Sequence, residues 1–259
     1  MNKVSGVRVG LVFILACLLT NLAAPSAFAA SRDLRLTPSE IHIRETFQGA
    51  PMSITATVPP QSLCIIEIKG ESYKQELLRK GRRGGLWMNV GEVEVHAAPS
   101  MYLMLTNESG DILKKDLGAN FGYAALKKIV RFSGKLPKAG ADVLFEQFLQ
   151  LKESEGLYGI FPGAIKVNET NTEGAKIEGN INLPSNIAPG TYQVVLSVVK
   201  DEKLLEQEIT EFTVEMKGLP KLLSSLAFEH ALLYGLLAVI IAIVTGFLMG
   251  FVFGGKGAH

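Results

Sequence analysis

From Leu34 to Thr106 apolar and polar positions alternate with a period of two. Met52, Ile54, Ala56 and Val58 take turns with Ser53, Thr55 and Thr57, the pattern of a strand with one face in a core and the other in water. Ile41 and Ile43 put His42 and Arg44 on the opposite, wet face. Cys64, Ile66 and Ile68 share one side, and Val93 and Val95 share another that leaves Glu92, Glu94 and His96 outward. Pro59-Pro60, Gly70 and Gly91 punctuate these runs as turns. Short strands at close spacing, with no helix between them, predict an antiparallel sandwich of immunoglobulin type.

The period changes between Asp111 and Gly156. Phe121, Ala125, Ile129 and Phe132 recur at near-helical spacing, with Lys127, Lys128 and Arg131 on another side. After Gly134 and Pro137, Leu144, Phe148 and Leu151 do the same, flanked by Phe145 and Leu149. This spacing predicts two short amphipathic helices. Period two returns at Gly159. Ile177, Ile181 and Leu183 lead into the turn from Pro184 to Gly190. Tyr192, Val194, Leu196 and Val198 then alternate with Gln193, Val195, Ser197 and Val199. The second face of that strand is half apolar, which places it centrally, covered on both sides. Lys200-Asp201-Glu202-Lys203 closes a hairpin into a strand ending Phe212, Val214, Met216. A proline-glycine turn that delivers a tyrosine at a strand start resembles the tyrosine corner of immunoglobulin-like folds. The expected fold is mainly β. Immunoglobulin-like antiparallel sandwich regions occupy 30–110 and 157–216, as two lobes or around one shared core, with a small helical insert at 111–156.

Two apolar runs lack any alternation. Near the N-terminus Lys3 and Arg8 precede the run Val9–Leu19, and Ala27 and Ala29 offer small residues at a cleavage site, the three parts of a secretory signal peptide at 1–29. The competing reading is a lipoprotein site at Ile14-Leu15-Ala16-Cys17, for which Leu15 is large and after which the apolar run continues. The second run, Ala231–Phe253, carries no charge. At about 1.5 Å per residue it is long enough to cross about 30 Å of hydrocarbon. It predicts one C-terminal transmembrane helix at 231–253, entered through a juxtamembrane segment at 217–230 and followed by a short tail at 254–259. With a signal peptide in front, the domain between is exported and the tail cytoplasmic, although the flanking lysines (Lys217 and Lys221 outside, Lys256 inside) contribute little to that orientation. The expected location is a bacterial inner membrane with the bulk of the chain periplasmic.

Charge and cysteine content narrow the classes. The whole chain carries 26 Lys+Arg against 25 Asp+Glu. Losing residues 1–29 removes Lys3 and Arg8 and no acid, so the exported form has a net charge of −1 and no global attraction to nucleic acid. Cys17 leaves with the signal peptide. Cys64 remains as a single cysteine, so an intramolecular disulfide is not expected and the fold relies on its core.

The stretch Arg79-Lys80-Gly81-Arg82-Arg83-Gly84-Gly85-Leu86-Trp87-Met88-Asn89-Val90 holds four cations and three glycines before the only tryptophan. A phosphate loop needs glycines that open a helix, with a lysine followed by a hydroxyl residue, and neither occurs. A hairpin tip fits: glycines supply positive φ and the cations stay in water. The hairpin then enters a strand in which Trp87 is expected as a core anchor. Arg79, Lys80, Arg82 and Arg83 are candidate contacts for an anionic partner, such as lipid head groups or an acidic protein. Met88, His96, Met101, Met104 and Cys64 invite a copper reading, but alternation splits Met101 and Met104 between faces and there is no His-x-His or Cys-x-x-Cys pair. No Gly-x-Ser-x-Gly occurs, and no nucleophile is paired with a base in sequence. Glu92 with Glu94, and Asp142 with Glu146, are ordinary surface pairs. Asn107-Glu108-Ser109 and Asn168-Glu169-Thr170 would be glycosylation acceptors only in a eukaryotic secretory pathway. No catalytic residue, cofactor or metal is expected.

Within the apolar run Ala238, Ala242, Gly246, Gly250 and Gly254 recur every fourth residue. Such a stripe lines one helix face with small side chains and lets another backbone approach closely. The expected partner is another transmembrane protein or a second copy of the chain.

Gly85-Leu86-Trp87-Met88-Asn89, Ala98-Pro99-Ser100-Met101-Tyr102, Gly156-Leu157-Tyr158, Leu183-Pro184 with Pro189-Gly190-Thr191-Tyr192, and Leu233-Tyr234-Gly235 occur in that order. Together they resemble the motifs of an uncharacterised bacterial family labelled alphaproteobacterial putative transmembrane protein. The resemblance spans nearly all of the chain after residue 29. It implies a single-span protein with an exported domain, and a partner among sulfite-exporter (TauE/SafE-like) permeases, with which genes of the family are often associated. The expected function is a non-enzymatic accessory or assembly partner of a membrane transport protein. The alternative is a membrane-tethered periplasmic binding protein for a small anion or metal.

Overall fold

The computed structural model describes residues 33–108, 119–134, 140–171 and 174–253. The expected signal peptide, Cys17, the tail at 254–259 and Gly254 lie outside the described residues. In chain order the strands are β1 (Arg35–Thr37), β2 (Glu40–Ile43), β3 (Ala50–Val58), β4 (Leu63–Gly70), β5 (Ser72–Arg83), β6 (Leu86–Pro99) and β7 (Tyr102–Thr106). Helix α1 (Gly122–Ile129), strand β8 (Arg131–Gly134) and helix α2 (Gly140–Ser154) follow. Then come β9 (Tyr158–Phe161), β10 (Ile165–Asn171), β11 (Gly174–Leu183), β12 (Gly190–Lys200) and β13 (Lys203–Met216), and finally helices α3 (Leu219–Phe228) and α4 (Ala231–Phe253). The fold is mainly β, with helical insertions and one long apolar C-terminal helix.

The strands form a four-stranded sheet in the order β1-β3-β11-β10 and a six-stranded sheet in the order β2-β13-β12-β4-β7-β9. A third sheet has the order β5-β6-β8. Pairing in the four-stranded sheet is antiparallel throughout. In the six-stranded sheet the two edge strands are parallel to their neighbours, β2 to β13 and β9 to β7. The two large sheets meet face to face: a Cβ built on Gly179 of β11 would lie 3.5 Å from Ile66 of β4 and 3.4 Å from Leu105 of β7.

The alternation read from the sequence explains this interface. Met52, Ile54, Ala56 and Val58 are buried while Pro51, Ser53, Thr55 and Thr57 lie outward to varying degrees. From the opposing sheet Cys64, Ile66 and Ile68 meet Val198, Leu196 and Val194 in register. Strand β12 is buried on both faces, with Val195, Ser197 and Val199 also shielded. It sits between β13 and β4, as its two-sided apolar pattern requires. Strands from both expected β regions interleave: β3 pairs with β11, and β4 with β12. Their buried residues belong to one continuous core cluster, so 30–110 and 157–216 are parts of one body and not two lobes.

The second face of the six-stranded sheet is covered by the insert. The Tyr102 ring meets Tyr123 of α1 at 6.3 Å and Tyr158 of β9 at 6.1 Å, and Phe148 of α2 meets Tyr158 edge-on at 5.7 Å. Two details of the insert depart from the spacing rule. The inward residues of α1 and its flanks are Phe121, Leu126 and Val130, whereas Ile129 is exposed. Phe132, expected on the same helix, lies in β8 opposite Val95 of β6. A helix ends before Phe132 because β6 offers an unpaired edge, and ladder bonds to that edge outweigh a weak local preference.

Candidate membrane-facing site

Strands β4 and β7 do not stop at the edge of the core. Beyond the pair Lys69↔Tyr102 the Gly70 amide donates to the Met101 carbonyl at 3.0 Å, and the Ser100 amide to the Glu71 carbonyl at 2.9 Å. The ladder then runs on from Ser72↔Pro99 to Arg83↔Leu86. One hairpin therefore reaches out of the six-stranded sheet as β5 and β6. Its proximal half is packed: Gln75, Val93, Val95 and Ala98 are buried, and Phe132 and Phe148 meet edge-on nearby at 6.2 Å. Its distal half is not. Gly84 and Gly85 form a two-residue turn with φ of 58° and 84°, the left-handed pair that matches the twist of the flanking strands.

The expected hairpin is thus present, but Trp87 is no core anchor. It is 72% exposed, and its neighbours Leu86 and Met88 are 69% and 44% exposed. The reason is position: it follows the turn by two residues, beyond the reach of α2, so alternation there has no core to point into. Cross-strand pairing sets Arg82 beside Trp87 and Arg83 beside Leu86, with Lys80 opposite Asn89 and Arg79 opposite Gly91. Arg82 and Arg83 share the exposed tip with three large apolar side chains, Lys80 is exposed just behind them, and Arg79 is half-buried with its Nε shielded from solvent. From Leu77 to Gly91 the sequence has no acidic residue.

The chain leaves for its apolar helix from the same end of the sheet. Tyr192 of β12 pairs with Gly70 on one side and Phe212 on the other, so β4 and β13, which flank β12, finish at the same end of the sheet. The exit is clamped to the end of β2. The Lys217 amide donates to the Ile43 carbonyl at 2.9 Å, the Lys217 Nζ sits 3.0 Å from His42 Nε2, and the Leu219 amide donates to Glu45 Oε1 at 2.8 Å. Gly218, at φ 75°, brings the backbone so close that a Cβ there would lie 2.7 Å from Glu45 Oε1. Bonding to the Leu219 amide, and then to its own backbone amide, holds the Glu45 carboxyl below its ordinary value. An anion at the first turn of α3 satisfies orphan amides and complements the helix dipole. α3 itself exposes Leu219, Leu222, Leu223 and Phe228. The apolar α4 follows, with none of its residues buried. Ala238, Ala242, Gly246 and Gly250 repeat along it, and a Cβ at Gly246 or Gly250 would find nothing within 4 Å.

Two polar constellations that sequence spacing did not join are brought together by the sheets. On the β6–β8 ladder Ser133 Oγ donates to Glu94 Oε2 at 2.9 Å and lies 2.9 Å from His96 Nε2. A nucleophile would need a carboxylate on the other ring nitrogen, yet Glu94 also meets His96 through Nε2, at 3.3 Å. With Lys74 bound to Glu94 at 2.8 Å, this is a cross-strand surface network. The only sequence signal for it was the outward placement of Glu94 and His96.

The second lies on the helix-covered face. Glu67, 3% exposed, accepts a hydrogen bond from the Tyr102 hydroxyl and another from Lys69 Nζ at 2.9 Å. Burial first, and the Glu67 charge next, push the Tyr102 phenol far above its ordinary value, so it stays a donor. A cleft of about 600 Å³ opens beside the pair, also lined by Glu71, Gln193 and Glu211. Met101 and Met104 are fully buried core residues. Among the described residues no group of three His, Cys, Asp or Glu side chains is placed to hold a metal.

The architecture defines a class: a membrane protein with a large extramembranous β-rich domain and, among the described residues, one helix, Ala231–Phe253, long and apolar enough to cross the bilayer. The chain belongs to the family described as "Putative transmembrane protein (Alph_Pro_TM)", which matches residues 33–254. No curated protein and no solved structure is significantly similar to it.

Proposed function

We propose that this protein is a non-enzymatic accessory or assembly partner of a membrane transport protein, held to it by α4. The observation that carries the reading is the small-residue face of α4, open at Gly246 and Gly250 on a helix with no buried residue. A helix that only anchors a domain has no need of such a face, because bulky side chains meet lipid equally well. The resemblance stated above supplies the kind of partner, a sulfite-exporter-type permease. The signal-peptide pattern supplies the orientation: exported domain, cytoplasmic tail, bacterial inner membrane.

The exported domain reads as immunoglobulin-like of the variable type. Supporting this is the strand order β1-β3-β11-β10 against β2-β13-β12-β4-β7-β9, in which β1-β3-β11-β10 follows A-B-E-D and β13-β12-β4-β7 follows G-F-C-C′, while the parallel edge strand β9 departs from an antiparallel C″. The Tyr192 hydroxyl also donates to the Ala188 carbonyl at 2.7 Å, four residues upstream at the start of the F-like strand. The alternative of a tethered binding protein draws on the cleft beside Glu67. Its three carboxylates against Lys69 favour a cation over an anion.

A mild-detergent pull-down of the full-length protein tests the reading. A permease recovered with the native helix and lost with Gly246→Leu/Gly250→Leu, the domain remaining folded, supports the accessory role. Recovery of the permease by both forms refutes the stripe as the contact, and recovery of the protein alone refutes the accessory role.

A further inference from the structure

We infer that the tip of the β5–β6 hairpin is a second membrane contact, which seats Leu86, Trp87 and Met88 in the interface of an anionic leaflet. This is the leaflet from which α4 emerges, and the contact does not rest on any protein partner of that helix.

Four observations converge on it. Composition comes first. Leu86, Trp87 and Met88 are exposed, and the exposed cations Lys80, Arg82 and Arg83 stand on the same distal half, without an acid between Leu77 and Gly91. Tryptophan prefers the head-group level, and arginine and lysine beside it reach lipid phosphates.

The second is the distribution over faces. Paired residues of a hairpin share a face, so Arg82 with Trp87 lie on one side and Arg83 with Leu86 on the other. Trp87 stands on the Arg82 side, and Leu86 and Met88 on the Arg83 side, so each side of the ribbon has a large apolar surface and a cation. A protein partner lying along the hairpin would cover one face and leave the other apolar surface in water. A lipid surface entered end-on surrounds both faces. At about 3.4 Å per residue, Leu86 to Met88 spans about 7 Å, which matches the depth of about 5–10 Å to which interfacial apolar groups enter.

The third is the origin of the hairpin. It grows from the end of β4 and β7, and β13 leaves for the membrane helix at that same end of the sheet. The fourth is α3, which leads into the membrane helix and whose exposed Leu219, Leu222, Leu223 and Phe228 give the juxtamembrane segment an apolar surface of its own. An interaction with anionic lipid is worth about fivefold in partitioning for each cation near the surface.

The test uses the full-length protein in vesicles, because Trp87 is its one tryptophan and fluorescence therefore reports the tip alone. In phosphatidylglycerol-containing vesicles Trp87 emission is expected to shift to shorter wavelength, resist acrylamide, and be quenched by lipids brominated near the head of the acyl chain. In pure phosphatidylcholine, or with Arg82→Glu/Arg83→Glu in anionic vesicles, accessibility to acrylamide is expected to rise at least fivefold. The variant sits at an exposed tip, and an unchanged melt of the domain shows that it still folds. Emission that stays water-like in anionic vesicles overturns the proposal. So does protection that grows with protein-to-lipid ratio regardless of lipid charge, which would assign the tip to a second copy of the chain.

Discussion

Replacing Tyr102 by Phe removes one oxygen atom from the helix-covered face of the six-stranded sheet, and its effect can be worked from the contacts. Glu67 is 3% exposed and Tyr102 is fully buried. Among the described residues the Tyr102 hydroxyl is the donor to Oε1 of Glu67, while Lys69 serves Oε2 at 2.9 Å. Losing a hydrogen bond to a charged group costs about 1.5–3 kcal/mol. Both residues line the cleft, so a water can reach Oε1 and the cost falls near the lower end, about 1.5–2 kcal/mol. For a domain of this size each kcal/mol moves the melting temperature by about 2–4 °C, giving an expected drop of about 3–8 °C. The assay is thermal unfolding of the full-length protein in detergent, followed by far-ultraviolet circular dichroism. Tryptophan fluorescence would be a poor probe, since Trp87 sits outside the core. Tyr102→Phe combined with Glu67→Leu removes both partners and frees the half-exposed Lys69 to solvent, and should recover most of the loss. A drop below about 1 °C for Tyr102→Phe, or a double variant less stable than the single one, refutes this account of the pair.

Three further outcomes follow from other contacts. Tyr192→Phe loses the bond to the Ala188 carbonyl but keeps the stacking on Phe212 at 5.1 Å, and should cost about 1 kcal/mol, read as a melting shift of about 2–4 °C. Gly85→Val puts a β-branched residue at φ 84° and should speed amide exchange between Lys80 and Asn89 without moving the global melt, because the tip lies outside the core. The Glu45 carboxyl is held below its ordinary value of 4.5, so its hold on α3 is complete above that value and lost as pH falls through its depressed one. Exchange of the Leu219 and Leu222 amides should therefore differ between the native protein and Glu45→Gln at neutral pH, and the difference should vanish in acid.

The period-two runs, the helical insert and the long apolar helix were legible because each is a local pattern. Burial on one face of a strand repeats every second residue, and a bilayer-spanning helix must be apolar on every side. The turn at Gly84-Gly85 was legible for the same reason: its left-handed φ values are a property of two adjacent residues. The small-residue stripe was equally visible, since a repeat of four is one helix face.

What needed the tertiary structure was everything set by pairing between distant segments. No local signal says that β3 pairs with β11, or that β4 and β12 lie side by side, and these pairings decided between the two arrangements the sequence left open, two lobes or one shared core. Trp87 shows the same limit from the other direction. Leu86, Trp87 and Met88 read as an apolar run fit for a buried strand, but burial depends on what another part of the chain brings to that face, and among the described residues nothing covers the hairpin tip. Glu67 was one polar residue inside an apolar run. Lys69, two residues on, shares its face by strand period alone, and only the sheet register placed Tyr102 where it could help make a buried carboxylate tolerable.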